Sequence, residues 1–126
     1  MKVVYIAGKF RGKTAWHVAR NVRAAEEVGY QVAALGAMPL IPHANTAHFD
    51  GTLTAEFWLE GTMELLRRCD AVIMVPGWLD SKGALAERAE AGRLGLPVFD
   101  AGMYDDLRDW LLSAPPPNRG EGGGCG

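Results

Sequence analysis

Two stretches of the sequence combine residue types that can bind an anion and attack a sugar carbon. The first is "GKFRGK", residues 8–13, which follows an apolar run and contains three cations and two glycines. Glycines let backbone N–H groups approach a phosphate, and an arginine can bind it through two parallel hydrogen bonds. The pattern fits neither G-x-G-x-x-G nor G-x-x-x-x-G-K-[ST]. Taken alone, it indicates an anion site or a solvated basic turn equally well.

The second stretch, "GWLDSKGALAE", can supply a carboxylate. Ser81 can cap a helix, Gly83 keeps its first turn open, and Glu87 lies about a turn and a half further on. A carboxylate on the inner face of such a helix, beside a crevice, can act as a nucleophile at a sugar carbon. The alternative is a surface acid that balances Arg88 or Arg93, and composition alone favours that alternative.

Apolar residues at helical spacing predict a long first helix after a strand at residues 3–7. They are Val18, Val22, Ala25, Val28, Val32 and Leu35. Because the spacing continues through Gly29, we expect the helix to start after Thr14 and to end near Leu35, with Gly36 as the stop. The alternative is a helix that ends at Gly29, followed by a strand "YQVAAL".

The rest of the chain continues the alternation of strands and helices. "MPLIPH" predicts a short strand, "ANTAHFDGTLTAE" a loop, and residues 54–68 a helix. "AVIMV" predicts a buried strand, followed by a helix at 82–94, a strand near Val98 and a helix at 104–112. This order predicts an α/β fold with a doubly wound, Rossmann-like or flavodoxin-like parallel sheet and helices on both faces. Ligands bind beyond the carboxyl ends of such strands, so loops 8–13 and 76–83 should share one crevice.

Length and composition limit the functional classes. The 126 residues predict one domain, placed at 1–113, with a Pro/Gly-rich tail at 114–126 that we expect to be disordered. The net charge of −2 argues against a nucleic-acid partner. No apolar run approaches the roughly 18 residues of a membrane span, so we expect a cytoplasmic protein with no membrane partner. His43, His48 and Asp50 match no metal-ligand pattern, so neither a metal nor another cofactor is expected.

Four motifs together resemble the nucleoside 2-deoxyribosyltransferase superfamily: "YIAGKFRG", "PHA", "CDAVIMV" and "SKGALAE", within about residues 3–100. The first is most similar to the loop Y-x-x-G-S-I-R-G of the 2′-deoxynucleoside 5′-phosphate N-hydrolases. The C-D-A-V, G-W and S-K-G pattern is similar to an uncharacterised branch of the superfamily. The resemblance implies an enzyme that cleaves the base–sugar bond of a nucleoside 5′-monophosphate, or one that moves deoxyribose between bases. It also implies a homo-oligomer, because relatives complete their active sites across a subunit interface.

The resemblance further implies a role for individual residues. Glu87 matches the nucleophile that attacks C1′, and Tyr5 matches the tyrosine beside it. The matching substrate- and phosphate-binding positions are Gly8, Lys9, Phe10, Arg11, Gly12, His43, Ser81 and Gly83. Trp78 lies in the second loop, where it could cover a base or a sugar. Lys9 departs from the hydrolases, which have a small serine there.

A second departure concerns an acid that assists catalysis. Relatives commonly carry an aspartate eight residues before the one that opens the "DAVIMV" strand, and this chain has Thr62 there. Glu60 and Glu64 are each two residues away, about 200° around a helix, so they should point elsewhere. Asp50 and Asp80 are the candidate substitutes. The departure favours, as the alternative to an enzyme, a nucleotide-binding module without efficient catalysis.

Overall fold

A computed structural model describes residues 1–49 and 51–113 and shows strands and helices in alternation. The strands are β1 (Val3–Ala7), β2 (Met38–Leu40), β3 (Ala71–Met74) and β4 (Val98–Phe99). The helices are α1 (Ala15–Ala34), α2 (Pro42–Asn45), α3 (Ala55–Arg67), α4 (Lys82–Leu94) and α5 (Tyr104–Ser113), with a 3-10 turn at Trp78–Asp80. Within these ranges no helix has the length and apolar character needed to cross a bilayer. The tail at 114–126 lies outside the described residues.

The strands form one parallel sheet in the order β2-β1-β3-β4. Side chains alternate across β1, so Val4 and Ile6 pack with α1 and α5, whereas Tyr5 and Ala7 pack with α3 and α4. Both faces of the sheet are therefore covered by helices. The predicted doubly wound parallel α/β fold is confirmed.

The first helix runs through Gly29, and the alternative strand "YQVAAL" is wrong. Thr14 begins the helix, because its side-chain oxygen accepts a hydrogen bond from the His17 backbone N–H. Gly36 follows the helix with a φ of 99°, a value that favours glycine. A Cβ atom at Gly29 would lie 2.5 Å from Ile41 Cδ1. The glycine thus leaves room for the Ile41 side chain where the helix approaches the chain after β2.

The chain after β2 differs from the prediction. The strand ends at Leu40 rather than at His43, because Pro42 starts the single turn of α2. Proline suits the first position of a helix, where its fixed φ is helical and no N–H donor is needed. The predicted loop consequently begins after Asn45. The turn places His43 in the interior with 5% exposure, and it is the one buried polar side chain among the described residues.

Asp70 joins the amino-terminal ends of the two central strands. Its carboxylate accepts a hydrogen bond from the Val3 backbone N–H at 2.8 Å, and its own N–H donates to the Val3 carbonyl at 2.8 Å. The register then aligns Ala7 with Met74 at the other end of the sheet. The loops that follow β1 and β3 are therefore neighbours, as the strand order requires.

Two glycines inside helices should respond differently to alanine. A Cβ atom at Gly92 in α4 would meet no atom within 4 Å beyond the backbone of its own helix, so Gly92→Ala should stabilise the fold by about 0.5–1 kcal/mol through helix propensity. Gly29→Ala should lose this gain to the contact with Ile41 and end about 1–2 kcal/mol less stable than Gly92→Ala. Urea denaturation of both variants measures the difference. Equal stabilisation would contradict the close packing of α1.

Candidate active site

A cavity of about 600 Å³ lies where β1 and β3 end. Its wall includes residues 8–11 of the first loop, residues 80–83 of the second loop, and Glu87 on α4. His43 and one side of α3 complete it. The two loops therefore share one crevice, as the parallel sheet predicts. The cavity is large enough for a ligand of nucleotide size.

Glu87 and Tyr5 meet beside this cavity from two different elements. Ser81 caps α4, since its Oγ accepts a hydrogen bond from the Ala84 N–H at 3.1 Å. Glu87 follows on the side of α4 that faces the sheet, where the hydroxyl of the fully buried Tyr5 donates a hydrogen bond to its carboxylate. The bond joins a helix to a strand 82 positions away in sequence.

The surroundings raise the pKa of both groups. Burial raises the pKa of Glu87 to about 7, and the hydrogen bond from Tyr5 opposes part of this effect. Burial, followed by the adjacent charge of Glu87, raises the pKa of Tyr5 far above its ordinary value of 10.0. The phenol therefore stays protonated and remains a donor. A carboxyl group that titrates near neutrality beside a cavity is a candidate for chemistry.

The neighbouring arginines have other partners. Arg88 forms an ion pair with Asp100 at 2.8 Å, and Arg93 forms one with Glu90 at 2.7 Å. The hydrogen bonds from arginine lower the pKa of Glu90 to about 2, whereas the pKa of Glu87, three residues earlier, is raised. The interpretation of Glu87 as a surface acid that balances Arg88 or Arg93 is wrong.

Thr62 faces the cavity from α3. Its hydroxyl donates to the Leu59 carbonyl at 2.9 Å, and the side chain is near enough to the Tyr5 hydroxyl to act on the pKa of Tyr5 in the direction opposite to burial. Thr62 thus lies next to the Tyr5 hydroxyl. Glu64 turns outward and pairs with Arg68 at 3.0 Å, as the helical spacing predicts.

Few carboxyl groups reach the cavity. Of the acids in the described part of the chain, only Glu87 and Asp80 contribute to its wall, and Glu60 does not. Asp50, the other candidate substitute, lies outside the described residues. Across residues 1–49 and 51–113, no three His, Cys, Asp or Glu side chains are grouped so that they could hold a metal ion.

Three cations also line the cavity: Lys9, Arg11 and Lys82. Within residues 1–49 and 51–113, none of the three forms an ion pair. Most arginines elsewhere in these ranges are paired with acids, so positive charge without a carboxylate partner is concentrated at the cavity. Sequence reasoning missed Lys82, although the helix start it occupies was recognised through Ser81.

Trp58 is a second wall residue that sequence reasoning did not assign to the site. Its indole lies 5.5 Å from the ring of Phe49 and 5.0 Å from that of Phe57, measured between ring centroids. The helical spacing of α3 predicts that the Trp58 side chain points inward, but it does not distinguish a residue of the cavity wall from an apolar core residue. The cavity wall is thus aromatic on the α3 side.

Two residues assigned to the site from the sequence, Trp78 and Gly12, do not line the cavity. Trp78 is absent from the cavity wall, because its ring packs against the core beneath α3 and α4 and the Arg88 guanidinium covers it at 4.7 Å. Gly12 is also outside the wall, and a Cβ atom there would lie 2.5 Å from His17 Cβ. Gly12 thus allows the loop to pack on the first turn of α1. The remaining assigned residues surround the cavity directly or, like Tyr5, contact its wall.

Comparison with known proteins agrees with this architecture. Residues 2–100 match the family described as Domain of unknown function (DUF4406). The chain belongs to this family. A solved structure of 2-deoxyribosyltransferase from the psychrotolerant bacterium Bacillus psychrosaccharolyticus is similar to this DUF4406 member, with a TM-score of 0.60, 18% identity, and coverage of 85% of this chain and 90% of that chain. At this identity the likeness shows the fold alone. No curated protein matches.

Removal of the Tyr5 hydroxyl should raise the pKa of Glu87 above about 7, because the hydrogen bond it donates lowers that pKa. A ¹³C NMR titration of the glutamate carboxyls in Tyr5→Phe measures the change, and Glu87→Gln identifies the signal by removing it. Relative to Glu87→Gln, the native chain should lose unfolding free energy as the pH rises from about 4.5 to about 7. A Glu87 pKa at its ordinary value in Tyr5→Phe would contradict this account.

Proposed function

We propose that the protein is an N-glycosidase that cleaves the base–sugar bond of a (deoxy)nucleoside 5′-monophosphate, with Glu87 as the nucleophile. One observation carries the proposal: a partly buried carboxylate, held by Tyr5, lies in a cavity wall that also contains three cations, none of which has an ion-pair partner in the described part of the chain. The carboxylate suits attack on a sugar carbon, and the cations suit a phosphate. A nucleoside monophosphate contains both groups.

The reaction follows from the state of Glu87. In its ionised form the carboxylate attacks C1′ as the bond to the base breaks, and the bonding electrons leave with the base. The product is a glycosyl ester of Glu87, and attack by water on C1′ then releases the sugar phosphate and restores the carboxylate. Tyr5 holds one carboxylate oxygen and thereby orients the other. Cleavage should increase as the pH rises through about 7, the pKa of Glu87, because only the ionised carboxylate attacks.

The phosphate would act at a distance from the bond that breaks. Lys9 and Arg11 provide charge on the first loop, and Lys82 provides it at the start of α4. Binding energy from a remote phosphate orients the sugar over the nucleophile. The departing base also needs a proton, and Thr62 cannot supply one as a carboxylic acid would. Asp80 is the remaining acid of the described wall and is the candidate for that role.

Two other functions each have a specific observation in their favour. The similar solved structure belongs to a 2-deoxyribosyltransferase described as a biocatalyst for nucleoside synthesis. A transferase would use the same Glu87 ester and differ only in the acceptor, a second base instead of water. A nucleotide-binding module without efficient catalysis is favoured by Thr62, which replaces the acid that relatives commonly have.

Incubation with nucleoside and deoxynucleoside 5′-monophosphates separates these functions. The native chain should release free base, measured by chromatography, and Glu87→Gln should release at least about 10³-fold less, because the nucleophile is lost. A second base added to the reaction should produce a new nucleoside only if the protein is a transferase. Tight nucleotide binding without base release at high enzyme concentration would establish the binding module and refute the N-glycosidase.

Arg11 should favour phosphorylated over unphosphorylated substrates. Arg11→Ala should lower kcat/KM for a nucleoside monophosphate by about 10- to 100-fold, because a charge-assisted contact is lost, and should leave the corresponding nucleoside nearly unchanged. Lys13→Ala is the matched control, because Lys13 lies on the same loop but outside the cavity wall. Equal effects of the two substitutions would show that overall charge, rather than the site, attracts the substrate.

A further inference from the structure

Four consecutive carbonyl groups of the first loop are held by two side chains from distant parts of the chain. The His43 Nε2 atom lies 3.1 Å from the carbonyl oxygen of residue 8 and 3.0 Å from that of residue 9. The Asn21 Nδ2 atom lies 3.1 Å from the carbonyl oxygens of residues 10 and 11. His43 belongs to α2 and Asn21 to α1. We call the two side chains and the four carbonyls the carbonyl clamp.

The contacts determine the protonation of His43. Both partners of Nε2 are acceptors, so Nε2 carries the hydrogen and donates to them. Burial lowers the pKa of His43, and its Nδ1 atom is buried without a hydrogen-bond partner among the described residues. A proton on Nδ1 would bury a donor without an acceptor. The ring is neutral and also packs edge-on against Phe10, with centroids 5.8 Å apart.

The clamp determines which way the N–H groups of the loop point. In a planar trans peptide the C=O of one residue is antiparallel to the N–H of the next. With the carbonyls of residues 8–11 turned toward His43 and Asn21, the N–H groups of residues 9–12 point away from these side chains. Within residues 1–49 and 51–113, no group accepts a hydrogen bond from any of these four N–H groups. Successive free N–H groups in a loop form an anion-binding surface.

We propose that His43 and Asn21 are positioning residues that hold the backbone N–H groups of residues 9–12 ready to bind the phosphate of the substrate. The identity of the substrate rests on the proposed function. Arg11 then adds charge to a phosphate site whose donors are mainly backbone groups. The histidine acts beneath the loop, through the carbonyls, rather than on the ligand.

Affinity for phosphate-bearing ligands tests the proposal. Isothermal calorimetry would compare the 5′-monophosphates of the four common deoxynucleosides with the corresponding nucleosides. Asn21→Ala should weaken monophosphate binding by about tenfold or more and nucleoside binding by less than about threefold, because two hydrogen bonds to the loop are lost. Gln31→Ala, an exposed position on the same helix, should change neither affinity.

A pair of His43 variants separates positioning from packing. His43→Gln keeps an amide donor and should retain much of the preference for monophosphates, whereas His43→Leu keeps the apolar volume and should lose that preference. Thermal unfolding of each variant checks that the fold persists. If His43→Leu does not fold, the half-buried Asn21 still decides the matter.

Several outcomes would overturn the proposal. They are equal losses for nucleosides and monophosphates, an unchanged monophosphate preference in Asn21→Ala, and a native chain without that preference. Base release is measured separately. A native chain that prefers monophosphates through the clamp but releases no base would refute the proposed enzyme and leave the clamp intact. Base release by the native chain, together with an unaltered monophosphate preference in Asn21→Ala, would support the proposed enzyme and refute the role of the clamp.

Discussion

The contact between the Tyr5 hydroxyl and the Glu87 carboxylate is the interaction on which the site depends. A partly buried carboxylate without a cation is unfavourable unless donors satisfy it, and here the donor comes from a fully buried side chain of the central strand. The same burial raises both pKa values, so the phenol remains a donor while the carboxyl titrates near neutrality. The buried Tyr5 of β1 thereby influences the pKa of Glu87, which lies in the wall of the cavity where β1 and β3 end.

The sequence was sufficient to predict the fold because local and global signals agree. Apolar spacing predicted α1 even through Gly29, and the alternation of strands and helices predicted a doubly wound parallel sheet. The topology in turn placed the loops after β1 and β3 in one crevice. The end of β2 was predicted less well, since Pro42 is compatible with a strand end and with the start of a helix.

Tertiary contacts account for what the sequence could not reveal at the site. Asn21 donates hydrogen bonds to the loop carbonyls of Phe10 and Arg11, and no periodic pattern in the sequence signals such a contact. Trp78 was assigned to the crevice by its loop, yet Arg88 and the core determine where its ring lies. The roles suggested for Glu87 and Tyr5 came from resemblance to a superfamily. Their contact and their displaced pKa values are independent physical grounds for the same pair.

The chain shares its fold with a 2-deoxyribosyltransferase, whereas Lys9 and Thr62 depart from the pattern of the superfamily that its sequence resembles. A fold alone does not specify an activity, and the similar 2-deoxyribosyltransferase structure shows only the fold at 18% identity. Both departures lie at the cavity: Thr62 is beside Tyr5, and Lys9 adds charge to the wall, to which Lys82 of the matching S-K-G motif also contributes. Under the proposed function, these two departures affect proton delivery and ligand charge and leave the nucleophile Glu87 in place.

The close approach of Ile41 to α1 at Gly29 affects how the first loop is held. Ile41, which rests where a side chain of residue 29 would be, directly precedes the turn that bears His43, while Asn21 lies two turns earlier on the same long helix as Gly29. The two side chains that contact the loop carbonyls, His43 and Asn21, are therefore carried by segments that pack against each other at Gly29 and Ile41. The packing of the Ile41 side chain on α1 at Gly29 limits how far His43 and Asn21 can move apart, and so restricts the freedom that the loop's own two glycines would give it.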